Sequence, residues 1–379
     1  MSETAGPELT VDIGQHRDRY DIASQWQLTW WAFKKHHLAM IGLWVIGLMY
    51  LISLVCEFTA PEDPFIQHRR AVFHPPQMIH FIDVREDGWS FHPYVEKMTR
   101  KRDPKTLAIT YTPSGENIYL KFFGKGTPYK FWGLWEADVH LFATENPRDK
   151  FFLFGADRLG RDMFSRVMYG TRISMSIGLV GVVISLILGI SLGGVSGYYG
   201  GRIDALIQRL IEFVLSLPTI PIWLALAAAL PASWPIYQQY FVITLIVSLV
   251  GWTELGRVVR GRFLAMKNED FVVAARLDGA SEARIIGRHM LPSLTSHIIA
   301  SLTLAIPLMI LAETGLSFLG LGLQPPAISW GVLLKEAQNI RSISQAPWLF
   351  IPGGFVVIAV LAFNFLGDGM RDAADPYGN

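Results

Sequence analysis

The chain has 379 residues, of which 51% are hydrophobic and 17% charged, with a net charge of +1 and one cysteine. Soluble domains carry roughly 25% charged residues, and several apolar stretches here approach the roughly 20 residues needed to cross hydrocarbon, so an ordinary soluble domain is excluded. The net charge argues neither for nor against a polyanionic partner, and a single cysteine excludes an intrachain disulfide.

Residues 1–37 are polar and end in Lys34-Lys35-His36-His37, which reads as a cytoplasmic tail. The first span is Leu38–Phe58, too long for a signal peptide and followed by no small-residue cleavage site, so it is an uncleaved anchor. Cys56 inside it reads as a small embedded hydrophobe.

Residues 59–154 change character, with prolines, histidines, aromatics and mixed charge. Alternation over Ala108–Thr112 and Ile118–Phe122, with turn signals such as Pro113-Ser114-Gly115, predicts strands in a small β-containing extracytoplasmic insertion. Gly124-Lys125-Gly126-Thr127 is no phosphate loop, because Tyr119 stands where the upstream glycine is needed and no Ser or Thr follows the lysine directly. The histidines show no metalloprotease spacing, and neither a catalytic, a cofactor nor a metal site is expected. Trp89, Phe91, Phe131, Trp132 and Trp135 lie among charges, a composition enriched in interfaces.

Residues 155–379 carry five further spans, for a total of six: Ile173–Val195, about Ala205–Leu230, about Tyr240–Leu255, about Ile298–Leu319 and Trp348–Leu366. The fold class is therefore an all-α polytopic membrane protein with an insertion between helices 1 and 2. Short loops orient it. Arg17, Arg19, Lys34 and Lys35 precede the first span, and Arg257, Arg260, Arg262, Lys267, Arg276, Arg284 and Arg288 lie between the fourth and fifth, whereas Pro231–Gln239 is uncharged and the last loop holds only Lys335 and Arg341. Both termini and the loop 257–297 are expected in the cytoplasm. Gly189, Gly193 and Gly197, four residues apart, allow close helix packing within the bundle. Pro218 with Pro221, Pro307 and Pro352 are expected to interrupt spans three, five and six. Glu313 is the best-placed ionisable residue for a polar cavity or, in a stand-alone secondary transporter or channel, an ion relay.

Asp270–Pro292 reads as two short helices around a sharp corner. Asp270–Leu277 is apolar nearly all round, Gly279 suits a helix-terminating positive φ, Ser281 can cap the second helix, Glu282 suits its first turn and Pro292 ends it. An apolar corner in a basic loop needs cover, from a groove on a peripheral protein or from its own bundle.

This segment resembles the coupling-loop motif of bacterial ABC-importer permeases: E-A-A, three residues, G, nine residues, I-x-L-P. Ala274, Ala275, Gly279, Leu291 and Pro292 match at that spacing, with Val273 and His289 in place of the glutamate and isoleucine. Gly155-Ala-Asp-Arg-Leu-Gly-Arg-Asp162, Gly197-Tyr-Tyr-Gly-Gly201, Ser317-Phe-Leu-Gly-Leu-Gly322, Ser329-Trp-Gly331 and Gly367–Asp372 with Asp375-Pro376 narrow the resemblance to the second permease of the dipeptide/oligopeptide/nickel type. The resemblance covers the first span and residues 155–379 and implies a type I ABC-importer permease fold. It implies ATPase coupling through Phe271, Ala274, Ala275, Leu277, Gly279, Ala280, Leu291 and Pro292, and Glu313 and Ser317 are candidate pathway-lining residues. The implied partners are a second homologous permease, two ATP-binding cassette subunits that hydrolyse the ATP, an extracytoplasmic binding protein and membrane lipid, with no nucleic acid. The implied location is the bacterial inner membrane, N-in and C-in. Implied substrates are peptides, with oligosaccharides, glycosides or opines as the alternative within the same importer type.

Overall fold

The computed structural model describes residues 25–85, 88–102, 104, 109–231, 233–339 and 344–374. Arg17, Arg19, Ala108, Arg341 and Asp375-Pro376, used above, lie outside them, as does the side chain of Trp89. Among the described residues, five helices are long and apolar enough to span a membrane, and a sixth span forms if one bent pair is counted together.

The tail is not merely polar. Gln25–Lys35 forms helix α1, and Phe33 is buried against Ala39 and Ala373. His37–Leu54 is α2, which breaks at Val55 before the short turn of α3, Cys56–Thr59. The second span is longer than its apolar stretch: α4 runs Met163–Tyr199, 37 residues, or about 55 Å at 1.5 Å per residue. Its first turn is fixed by Asp162, whose carboxylate accepts from the Ser165 N–H at 2.8 Å and satisfies one donor that a helix start leaves open.

The expected third span is two helices, α5 (Gly201–Ser216) and α6 (Thr219–Ala228), bent by 84°. Proline at 218 lacks an N–H and disfavours helical conformation at Leu217, whose φ/ψ is extended. The other two proline expectations fail for the opposite reason. Pro307 sits inside a continuous helix, α9 (Thr295–Phe318), and Pro352 lies in the first turn of α11 (Ile351–Ala374), where its missing donor costs nothing. Further helices are α7 (Ile236–Met266), α8 (Asp270–Leu277) and α10 (Trp330–Glu336).

Small residues set the bundle's tightest seam. A Cβ on Gly193 would lie 2.4 Å from the Gly256 carbonyl oxygen, and one on Gly197 would lie 2.6 Å from Phe263 Cβ. Thus α4 and α7 meet backbone to backbone, the close approach that small residues at four-residue spacing permit. Around this seam the core is built from Met175, Ile177, Ile243, Val247, Ile310 and Trp330.

The insertion is a four-stranded antiparallel meander in the order β1 (His80–Arg85), β2 (Gly88–Arg102), β3 (Ile109–Phe131) and β4 (Trp135–Thr144). The two short strands read from alternation are parts of β3, which continues through the expected turn at Pro113-Ser114-Gly115 because a register irregularity absorbs it. The false phosphate loop, Gly124–Thr127, also lies within β3. Val95, Ile118, Leu120 and Phe151 form the sheet's own small core. His140 fastens the sheet to the bundle, its ring nitrogens 2.5 Å from the Ala60 carbonyl and 2.8 Å from that of Thr127.

Candidate functional site

The corner that follows α7 is built from two faces of one short helix. On α8, Val272 (0% exposed) and Ala275 (8%) turn inward and pack with Ile285, Met290, Val259 and Phe263. Phe271, at 43%, and Leu277, at 83%, point away from the bundle, and Ala274 is exposed between them. Gly279 has φ +76° with open space where a Cβ would stand, so backbone conformation alone selects glycine there. The turn is closed by the Ala280 N–H, which donates to the Ala275 carbonyl at 3.0 Å.

After the turn the chain departs from expectation. Ser281 occupies the cap position without a side-chain bond, and Glu282 instead accepts from the Tyr199 hydroxyl at 2.7 Å. That bond ties the end of α4 to the corner. Ile285–Met290 is a π-helix, and Pro292 falls in the first turn of the next helical segment rather than ending one. The wide π turn leaves carbonyls unpaired by the usual rule and lets a proline follow without a break. Leu291 is half-buried and Pro292 exposed. Beside the corner, Arg260 grips Asp204 of α5 through Nε and Nη2 at 2.5 and 2.6 Å.

Glu313 and Ser317 lie elsewhere, toward the other end of α9, and both are fully buried. The Glu313 carboxylate accepts from Ser329 Oγ at 2.7 Å and Ser317 Oγ at 2.8 Å, with Ser174 Oγ at 3.5 Å. Each serine also serves a backbone donor: Ser329 accepts from Val332, Ser317 from Leu323 and Ser174 from Trp330. One carboxylate thus fastens α4, α9 and α10 together. The glycines of the adjoining motifs let these elements close up, since a Cβ on Gly331 would lie 2.7 Å from the Thr314 carbonyl oxygen.

The motif before α4 folds into an ionic knot. Asp157, 0% exposed, accepts from the backbone N–H groups of Leu159 and Arg161 at 2.8 and 2.9 Å and from Arg161 Nε at 2.6 Å. Its other contact is Arg166, itself 1% exposed, and Arg161 and Arg166 reach Glu336 at 2.7 and 3.2 Å. Nearby, Arg172 pairs bidentately with Glu57 at 2.6 Å for each nitrogen. Sequence reading marked this segment as a motif but assigned none of these side chains. The signal was there: arginines at 161, 166 and 172 beside an apolar helix start need acidic partners.

The chain matches known proteins. The family model described as binding-protein-dependent transport system inner membrane component matches residues 178–377. The chain belongs to that family. The N-terminal TM domain of oligopeptide transport permease C matches residues 24–76. The chain is 36% identical over 241 residues to the oligopeptide transport system permease protein OppC of Bacillus subtilis, covering 63% of this chain and 76% of that one. It is 41% identical over 227 residues to the dipeptide transport system permease protein DppC of the same organism, covering 59% and 68%. OppC of Haemophilus influenzae is 36% identical over 242 residues, covering 64% and 75%. A solved chain of the MetNI methionine ABC transporter aligns at a TM-score of 0.44 and 14% identity over 56% of this chain and 98% of that one. The protein is a multi-pass inner-membrane permease of an ABC importer.

Proposed function

We propose that this chain forms half of the translocation pathway of a bacterial peptide importer and takes its power stroke through the α8 corner. Its partners are a second homologous permease, two ATP-binding cassette subunits that hydrolyse ATP, and an extracytoplasmic binding protein. The observation that carries the reading is the division of α8. One face (Val272, Ala275) is buried in the bundle, while the other (Phe271, Ala274, Leu277) is exposed and apolar. A helix held by one face and bare on the other moves its own bundle when a partner's groove moves it. Gly279, Ala280, Leu291 and Pro292 shape that corner, whereas Ala275 belongs to the grip on the bundle rather than to the docking face.

N-in, C-in topology fits this reading, because α1 packs against the end of α11, and that end lies beside Thr303 and Leu304 in the part of α9 that follows the corner. In this reading residues 1–37 and the loop 257–297 are cytoplasmic, the 59–154 insertion is extracytoplasmic, and residues 155–379 are the permease core. The names of the relatives, dipeptide and oligopeptide permeases, support a peptide substrate. Glu313 and Ser317 act in this reading as a buried tie that keeps α4, α9 and α10 in step beside the pathway. The test is co-purification with the ATPase subunits and ATP hydrolysis stimulated by loaded binding protein. Phe271→Asp with Leu277→Asp is expected to abolish ATPase retention while the two permeases still pair. Normal retention and transport in that variant overturns the docking role.

A further inference from the structure

The four-stranded sheet lies between the two segments that the family models match, and its β3–β4 turn is unusually apolar for a sheet tip. Trp132, Leu134 and Trp135 are exposed by 49%, 70% and 65%, flanked by the charged Lys130 and Glu136. Trp132 adopts φ +52° and Gly133 φ +72°. Left-handed backbone is unfavourable for a bulky L-residue, so the tryptophan stays there only because its surroundings hold it.

They hold it to the end of the first span. Trp132 Nε1 donates to the Leu54 carbonyl at 2.9 Å, and its backbone N–H donates to Glu57 Oε1 at 3.2 Å. The Arg172 guanidinium, itself paired with Glu57, stacks 4.3 Å from the centre of the indole. A second exposed aromatic with positive φ, Phe123 (φ +54°, 67% exposed), stacks on Phe58 just past the same helix end, 6.0 Å between centroids. The outward face of α2 leads directly to this point, with Trp44, Leu48, Leu51 and Leu54 all more than half exposed. The apolar tip is therefore continuous with the bare face of a membrane span.

We infer that the Trp132–Trp135 turn, with Phe123, is an interfacial anchor that lies in the headgroup layer beside the outer end of α2 and sets the sheet's angle to the membrane. Lipid is the occupant that fits. Tryptophan side chains favour the headgroup boundary, and a tip of Trp, Gly, Leu and Trp between one lysine and one glutamate has an apolar end and a wet rim. The aromatic stack of Phe81 on Phe91, rings 6.2 Å apart, lies on β1 and β2, away from this turn. A protein partner of the sheet thus has a separate surface to use.

The test is power-saturation spin labelling of the assembled transporter in phosphatidylcholine/phosphatidylglycerol vesicles. Leu134→Cys and, as a second position, Trp135→Cys carry the nitroxide, and Glu116→Cys on the solvent side of β3 is the aqueous reference. Cys56 is fully buried and does not take the label. The expected result is an oxygen-to-nickel-chelate accessibility ratio at 134 and 135 several-fold above that at 116. A ratio equal to that at 116 places the turn in water and overturns the inference. Exclusion of both reagents at 134 and 135 places it against protein and also overturns it.

Discussion

The two ends of the bundle are held by different chemistry. At the insertion end, an apolar cluster that includes Met163, Val167, Leu333 and Leu349 is reinforced by buried ions: Asp157, Arg161, Arg166 and Glu336 in one knot and Glu57 with Arg172 in another. At the corner end, an apolar cluster of Val259, Phe263, Val272, Ile285 and Met290 is supplemented by polar ties nearer the surface, Arg260–Asp204 and Tyr199–Glu282. Buried ions tolerate little displacement, because a charge pulled from its partner in a dry site is left uncompensated. An apolar contact is non-directional and slides at modest cost. The contrast suits a permease whose insertion end is a fixed collar and whose corner end must follow a moving partner.

The largest expected effect tests the collar. Asp157→Asn leaves the 1%-exposed Arg166 without its closest anionic partner, and breaking a buried pair costs about 3–5 kcal/mol. The expected outcome is loss of folded, monodisperse protein and of pairing with the second permease. Glu336→Gln, at a carboxylate with 11% of its side chain exposed, is expected to cost less. A thermal midpoint for Asp157→Asn within a degree of the parent's shows that the knot is not what fixes this end.

A pair of substitutions on the buried and the exposed face of α8 sharpens the other side of the comparison. Val272→Asp buries an unpaired carboxylate in the corner's own core and is expected to prevent folding of the loop. Leu277→Asp, at a residue 83% exposed, is expected to leave the thermal midpoint unchanged while reducing ATPase retention at least tenfold. Equal damage to stability from both means that α8 is packed on all sides and has no free docking face.

Tyr199→Phe is a smaller perturbation. It removes one hydrogen bond at an exposed site, so stability is expected to stay unchanged. ATP hydrolysis is expected to persist with its stimulation by binding protein reduced a few-fold, because the end of α4 no longer follows Glu282. Unchanged stimulation shows that the corner drives the bundle through Val272 and Ile285 alone.

Much of this was legible in the chain, for physical reasons that also mark where reading stopped. Hydrophobic length located the spans, and glycines at 189, 193 and 197 announced the α4–α7 seam because only one residue type permits that approach. The break at Pro218 was flagged by proline, but so were Pro307 and Pro352. Which proline bends a helix depends on where in the helix it falls, and composition does not give that. On α8, apolar residues all round left the choice between bundle and partner open; the helix buries one apolar face in the bundle and leaves the other exposed. The ion pairs were the least legible, because Arg161–Glu336 and Glu57–Arg172 join residues more than 100 positions apart. Nor does any periodicity announce the π-helix over Ile285–Met290.

The smallest expected effect is the acid dependence of one carboxylate at the insertion end. Glu62, just past the first span, is 7% exposed, with His68 Nε2 at 2.7 Å and Lys150 Nζ at 3.0 Å. Burial pushes its carboxyl up, but the hydrogen bond from His68 and the charge of Lys150 outweigh it, and the net effect holds the group below the ordinary 4.5. A carboxyl with a lowered folded value binds protons more readily when unfolded, so its stabilisation is complete above about pH 4.5 and fades as pH falls through the lower folded value. The corner's apolar cluster has no such group in it. Hydrogen exchange, corrected for intrinsic rates, is therefore expected to show residues 60–74 losing protection below about pH 4.5 while residues 272–290 keep theirs. In Glu62→Gln the acid-dependent part of that loss is expected to disappear. Parallel loss of protection at both ends on acidification breaks the contrast between an ionic collar and an apolar corner, because the two ends then share one stabilising chemistry.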